Sequence, residues 1–272
     1  MTSTQQTPSQ RALVAVVMAA GKGTRMQSDL PKVMHPVAGR PMVRWVVDAA
    51  RAAGATRTIL IVGHGAEIVR GEFAGAGDGD IEFATQMPQL GTGHAVMMAR
   101  GLLEPAAAAT DAFVLCGDGP LIRAATLEQL LSVHRGQRAA ATLATSVIPD
   151  PKGYGRIVRD SAGRMERIVE HKDATEAERA IREVNPSYYC FRVDDLLAAL
   201  SEVGNANAGG EYYLTDVFGI LRGKGRDVAA VDAVPAEDIL SINDPQQLAE
   251  VDAILRARLA RTGAPAPEGA CR

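Results

Sequence analysis

Cysteine is scarce: Cys116, Cys190 and Cys271 are the only three in 272 residues, and no two form a C-x-x-C pair. An odd, widely spaced set excludes a disulfide framework and argues for reduced thiols in a cytoplasmic protein. The five histidines are scattered outside any H-E-x-x-H pattern, so a zinc centre is not expected. No apolar run approaches the ~20 residues of a membrane-spanning helix. The first eleven residues, Met1 to Arg11, lack the basic-then-apolar order of a secretory leader and read as a loose polar tail. Excess charge is missing too, the net value being −3, so neither nucleic acid nor a membrane surface is an expected partner. What is present is an ordinary globular composition, 47% hydrophobic and 22% charged. The length allows one large α/β domain or two small ones with a substantial core.

The positive charge that exists is gathered in one place. Ala12 to Met18 is a short valine-rich run that reads as a buried strand, and Ala19-Ala20-Gly21-Lys22-Gly23-Thr24-Arg25-Met26 follows it, continuing to Leu30-Pro31-Lys32. Gly21 and Gly23 let successive amides turn toward one anion, while Lys22, Arg25 and Lys32 add mobile charge. Five basic residues stand against one acid between Ala20 and Arg44. A small anionic ligand is expected, and phosphate suits such a loop. Two commoner glycine loops are excluded. The spacing of a P-loop is absent, and Met26 occupies the third glycine position of the dinucleotide fingerprint.

Further along, Pro41 to Ala53 carries apolar residues at helical spacing, Thr58 to Val62 is a second strand, Ala66 to Phe73 a short helix and Ile81 to Ala84 a third strand. This alternation predicts a doubly wound, mostly parallel sheet, with ligands beyond the strands' carboxyl ends. Gln86 to Ala95 then offers polar groups and a Gly-Thr-Gly opening of a helix that runs to about Leu103. A fourth strand, Ala112 to Cys116, ends in Gly117-Asp118-Gly119. An aspartate there can hold a hard cation such as Mg²⁺, or simply form a turn. Residues 141–191 read as a β-rich excursion over the site, with a hairpin through Gly163. His94 and His134 are expected to be structural. Leu196 to Val203, a stretch after Asp216, and Gln246 to Arg261 are expected helices, and Val228 to Val231 a strand. Asp244 can cap the closing helix with Pro245 at its first position, leaving Asn243 free. One nucleotide-binding domain over 12–261 and a tail over 262–272 complete this division.

Assembled, these motifs resemble the uridylyltransferase domain of the bacterial bifunctional N-acetylglucosamine-1-phosphate uridylyltransferases/glucosamine-1-phosphate acetyltransferases. The residues that carry the likeness are Met18 to Met26, Leu30-Pro31-Lys32, Gln89 to Ala95, Gly117-Asp118, Gly153 to Arg156, Glu170 to Asp173 and Gly210 to Asp216. The resemblance implies a Rossmann-like nucleotidyltransferase that joins UTP to a sugar 1-phosphate with Mg²⁺, in nucleotide-sugar and cell-wall precursor synthesis. It implies that Met18, Ala19, Ala20, Gly21, Gln86, Gly91 and Thr92 contact the nucleotide and that Arg25 and Lys32 act on phosphate. Asp118 and Asn243 would bind Mg²⁺, and Cys116, Gly117, Gly155, Glu170 and Asn185 would meet the sugar. The sequence departs from that pattern at Cys116, where tyrosine is usual, and at Pro186-Ser187, where Thr-Gly is usual. Ser241 and Asp244 also replace a glycine and a second asparagine. The hexapeptide-repeat β-helix of the bifunctional proteins has no counterpart here, so acetyltransfer is not expected, and a monomer or weak dimer is. Another NTP or hexose 1-phosphate, or a non-catalytic nucleotide-sugar-binding module, remains open at this point.

Overall fold

The alternation of β1 (Ala12–Ala19) explains its central position: Leu13, Ala15 and Val17 enter one core layer, while Val14 and Val16 enter the other. The structure, a computed structural model, describes residues 11–262. Its other strands are the short β2 (Pro36–Val37) and β3 (Arg40–Pro41), then β4 (Arg57–Val62), β5 (Ile81–Thr85), β6 (Thr110–Cys116) and β7 (Ala141–Val147). β8 (Gly155–Arg159), β9 (Met165–Val169), β10 (Glu183–Arg192) and β11 (Val228–Asp232) follow. The main sheet runs β11-β7-β10-β6-β1-β4-β5, parallel throughout except for β10. The expected mostly parallel, doubly wound sheet is therefore present.

The helices are α1 (Met42–Ala52), α2 (Ala66–Glu72), α3 (Thr92–Met98), α4 (Arg100–Leu103) and α5 (Ala124–Gly136). After them come α6 (Glu176–Arg179), α7 (Val193–Leu200), α8 (Asp216–Gly223) and α9 (Pro245–Thr262). α1, α5 and α9 cover one face of the sheet through Val46, Leu127 and Val251, and α3, α7 and α8 cover the other through Val96, Leu196 and Phe218. The excursion read over 141–191 is narrower than its boundaries. β7 and most of β10 are strands of the main sheet, and the β8–β9 hairpin leaves it, attached through Val184 and Asn185. Pro41 lies just before α1, not in its first turn, because Pro41 has an extended ψ of 136° and pairs with Pro36. The helix expected from Gly91 to Leu103 is broken near Ala99 into α3 and α4.

At the amino end of β6, Asp111 is 1% exposed and lies 2.6 Å from Arg11 Nε and 2.9 Å from Arg135 Nε. Arg11, the last residue of the stretch read as a loose tail, is thus anchored, and it also donates to the Thr110 carbonyl at 2.6 Å. Residues 1–10 and 263–272, Cys271 included, lie outside the described residues. Burial pushes the Asp111 carboxyl up, but His134, whose Nε2 lies 3.8 Å away, and hydrogen bonds from Arg135 and Arg11 outweigh it and hold it at about 2, against an ordinary 3.8. The ionised form therefore stabilises the fold fully above the unfolded value, and that contribution is lost as pH falls from about 4 toward 2. Asp111→Ala is expected to cost ~3 kcal/mol at neutral pH, the lower end for breaking a buried pair, because the Arg11 and Arg135 side chains that lose their partner are 24% and 26% exposed. Denaturant unfolding of the two proteins checks this, with the gap narrowing across that acid window.

Candidate active site

The carboxyl ends of β1 and β6 meet where Gly117 N–H donates to the Met18 carbonyl at 2.9 Å. A Cβ on Gly117 would sit 3.0 Å from that oxygen, so glycine permits the approach. After β1 the chain enters the basic loop, where Gly23 adopts φ +60° and a Cβ there would lie 2.6 Å from Lys32 Cβ. The loop folds back on itself at this contact. Two short 3-10 turns, Thr24–Met26 and Lys32–Met34, bury Met26, Val33 and Met34 and so anchor the loop to the core.

That anchoring carries Lys32 to the end of β6. Its Nζ lies 2.5 Å from Asp118 Oδ2 and 2.7 Å from Asn243 Oδ1, joining residues that are 86 and 211 positions away. The Asn243 segment is held by backbone, since Ile242 N–H donates to the Asp118 carbonyl at 3.1 Å. Asp244 caps α9 as its sequence position suggested, its Oδ1 accepting from Gln247 N–H at 2.9 Å, which leaves the Asn243 side chain to face Lys32. Arg25 is exposed, lines the neighbouring cleft and forms no ion pair among the described residues. Arg40 and Arg44, counted with the basic loop in the sequence, point elsewhere. Arg40 pairs with Asp48 at 2.5 Å, and Arg44 with Glu72 at 2.7 Å and Asp78 at 2.9 Å. Among the described residues the basic charge of this stretch that is not ion-paired is that of Lys22 and Arg25, while Lys32 is held by Asp118.

A cleft of about 340 Å³ runs from the basic loop toward α3, lined by Met18, Ala20, Gly21, Lys32, Gln86, Gly91, Thr92 and Asp118. Ala19 is buried in the core behind it. Gln86 donates to the Gly91 carbonyl at 3.0 Å, and the Thr92 hydroxyl accepts from Leu214 N–H at 3.1 Å rather than standing free. Gly91 has φ +112°, and a Cβ on it would lie 2.6 Å from the Tyr212 carbonyl. Gly91→Ala is accordingly expected to cost at least ~1–3 kcal/mol in a thermal or denaturant melt.

A second cleft of about 430 Å³ opens beyond Asp118, with Arg25, Cys116, Gly155, Glu170, Asn185 and Ser187 in its wall. Gly117 does not line it; its place is the backbone contact with Met18. Asn185 donates to the Tyr189 hydroxyl at 2.7 Å and accepts from Ser187 N–H at 3.0 Å. Ser187 has φ +67° at a bulge where the β10–β7 register shifts between Val184 and Tyr188. Glu170 accepts from the Thr215 hydroxyl at 3.0 Å, and burial raises its carboxyl pKa despite that bond. Burial, with Asp118 adding to it, pushes the Cys116 thiol up to about 12, so it is neutral at physiological pH and no nucleophile.

His94 lies 3.2 Å from Gln86 Nε2, and the buried His134 lies 3.0 Å from Thr142 Oγ1, both internal contacts. Sequence reasoning gave no role to Gln89 or Arg156. The Gln89 amide donates to the Ala20 carbonyl, bridging the basic loop and the wall of the first cleft. Arg156 is 1% exposed and binds the Tyr154 carbonyl, the Arg179 carbonyl at 3.3 Å and His171 Nδ1 at 3.3 Å. It therefore ties the Gly153–Gly155 loop to the loop after Glu170. An arginine placed directly before the apolar Ile157-Val158 was the available signal.

A doubly wound sheet whose strand ends carry a basic glycine loop facing a carboxylate defines an α/β nucleotide-phosphate-binding domain. The chain belongs to the MobA-like NTP transferase domain family, whose model matches residues 15–202. It is 51% identical over 245 residues to the bifunctional protein GlmU of Brevibacillus brevis, a match covering 90% of this chain and 52% of that protein. The same-named protein of Pelobacter propionicus is 48% identical over 249 residues, covering 92% and 53%. The chain thus spans about half the length of the curated relatives it matches. These relatives bear out the family resemblance seen in the motifs. A crystal structure of UDP-glucose pyrophosphorylase complexed with UDP-glucose superposes with a TM-score of 0.77 at 17% identity, over 91% of this chain and 99% of that one, which shows a shared fold.

Proposed function

We propose that the chain transfers a uridylyl group from UTP to N-acetylglucosamine 1-phosphate, forming UDP-N-acetylglucosamine and pyrophosphate. The observation that carries this reading is the convergence of Lys32, Asp118 and Asn243 between the two clefts. The nucleotide would lie along Gly21, Gln86 and Gly91, and the sugar along Gly155, Glu170 and Asn185. The two phosphates then meet beside Lys32. Attack of the sugar phosphate oxygen on the α-phosphorus needs no protein nucleophile, only alignment and cations where charge gathers. Arg25 and Lys32 would neutralise the departing pyrophosphate, helped by amides of the glycine loop.

The residues fit a magnesium ion. Asp118 and Asn243 already direct one carboxylate and one amide oxygen at a single cationic nitrogen, and Mg²⁺ is commonly held by one or two carboxylates together with phosphate oxygens and water. Bound there, it would supply Lewis-acid stabilisation of phosphoryl charge. No helix among the described residues is long and apolar enough to cross a membrane, and a cytoplasmic enzyme suits substrates of this kind.

Cys116, Pro186 and Ser187 all line the sugar-side cleft, and this favours transfer to a different hexose 1-phosphate as the second reading. Pyrophosphate release measured across a panel of NTPs and sugar 1-phosphates separates the two. Release with UTP and N-acetylglucosamine 1-phosphate above all other pairs is expected; tight UDP-sugar binding without release under any pairing would leave a non-catalytic module. Glu170→Gln is expected to raise KM for the sugar phosphate about tenfold with little change for UTP, the loss of roughly 1.5 kcal/mol from a hydrogen bond to a charged acceptor. Initial rates with each substrate varied in turn check the split.

A further inference from the structure

We infer that Lys32 latches the cation site: its ammonium holds the Asp118 and Asn243 oxygens until a triphosphate draws it away, so metal and nucleotide binding reinforce each other. The inference rests on the proposed nucleotide and metal reading of the cleft, and it concerns what one side chain does in two successive positions. Lys32 is the sole cation bonded to Asp118 among the described residues, and the same Nζ reaches Asn243. The two acceptor oxygens therefore converge on one point. A divalent ion held by both of them and an ammonium at that point would repel across a few ångströms, in a site where the lysine and aspartate side chains are only 13% and 23% exposed and little screened. One cation or the other is accommodated.

The lysine has somewhere to go. Lys32 lines the same cleft as Ala20 and Gly21, so its nitrogen can swing from Asp118 toward a phosphate on the glycine loop without leaving that cleft. Its backbone stays fixed, since Val33 and Met34 beside it are buried; the motion belongs to the four-carbon stem alone. The acceptors also have a means of staying aligned. Asn243 is held through Ser241 Oγ at 3.3 Å and through its own N–H to Gln247 Oε1 at 2.8 Å, and Asp118 through its carbonyl to Ile242. Withdrawal of the lysine would leave a carboxylate and an amide oxygen in place for the metal. Reciprocity then requires the bound metal to favour the triphosphate by the same factor.

The latch reverses the sign expected of a residue that merely supports the site. Mn²⁺ titration of the purified chain by calorimetry or by the metal's EPR signal, in the absence of nucleotide, is expected to show at least tenfold tighter binding in Lys32→Met than in the unaltered chain. A non-transferable UTP analogue should tighten Mn²⁺ binding strongly in the unaltered chain and much less in the variant. Asp118→Asn placed in both backgrounds locates the ion, and tight Mn²⁺ binding should vanish in each. Unchanged or weaker Mn²⁺ binding in a Lys32→Met that melts cooperatively would overturn the latch. Should that variant fail to melt cooperatively, Lys32→Gln, which keeps a neutral donor, gives the same comparison. None of these readings depends on turnover or on the sugar. A failed pyrophosphate assay would sink the proposed reaction and leave the latch standing, while equal metal affinities would do the reverse.

Discussion

Asp118→Ala is expected to lower turnover by about a thousandfold, the upper end of what loss of one transition-state contact costs. The effect is large because Asp118 is, among the described residues, the one carboxylate bonded to Lys32 between the two clefts, and its oxygens would face both the nucleotide and the incoming phosphate. Removing it takes away the only charged ligand of the proposed metal site and releases Lys32 from its partner. The fold should survive, since the loop is also held by the Gly117–Met18 and Ile242–Asp118 backbone bonds, which alanine keeps. Turnover at saturating UTP and sugar phosphate over a range of Mg²⁺, beside a melting curve, is the check. Full Mg²⁺-dependent turnover in a folded Asp118→Ala would remove the residue from the site.

Lys32→Ala is expected to cost on the order of a hundredfold in turnover, and Arg25→Ala a comparable amount. Lys32 has one nitrogen placed between two loops and within reach of the glycine turn, so its charge would meet the pyrophosphate as its bond to the α-phosphorus lengthens. Such an interaction strengthens in the transition state, and its loss should appear in kcat more than in KM. Arg25 differs in being exposed on the sugar-side cleft. Part of its effect should therefore appear as weaker binding and fade with added salt. Lys32→Arg is not expected to restore activity, because a planar, five-donor guanidinium does not reproduce the compact point charge that the ammonium would bring to the pyrophosphate. Steady-state kinetics of the three variants, at two ionic strengths, distinguishes these outcomes.

Much of the fold was legible because its signals are local. The valine run of β1 followed by Gly21 and Gly23, and the strand-helix alternation through β5, each lie within a window of a few residues. The capping of α9 by Asp244 was visible for the same reason. α5 was not expected, although Leu127 and Leu130 repeat at helical spacing, because Arg123 at its start supplies no side-chain cap to mark it. The break near Ala99 carries no proline or glycine at that residue to announce it.

The site was harder to read, for a different reason. The basic residues between Ala20 and Arg44 pull less on an anion than their number implies, since Arg44 is neutralised by Glu72 and Asp78, acids about 30 residues further on. The meeting of Lys32 with Asn243 spans 211 positions and depends on how the last helix folds back over the sheet. The local pattern left the Asn243 side chain free, and only the family resemblance gave it a metal-binding role. The Ser187 bulge reads in sequence as an ordinary Pro-Ser pair inside a strand; its positive φ arises from the shift between two registers of β10.

The most direct test is the anomalous signal of Mn²⁺ in a crystal of the chain soaked with a non-transferable UTP analogue. A peak between Asp118 and Asn243, with the triphosphate against Gly21 and the Lys32 nitrogen turned onto it, is the expected result. A triphosphate bound away from the glycine loop, or a metal peak remote from Asp118, would contradict the role given to this cleft.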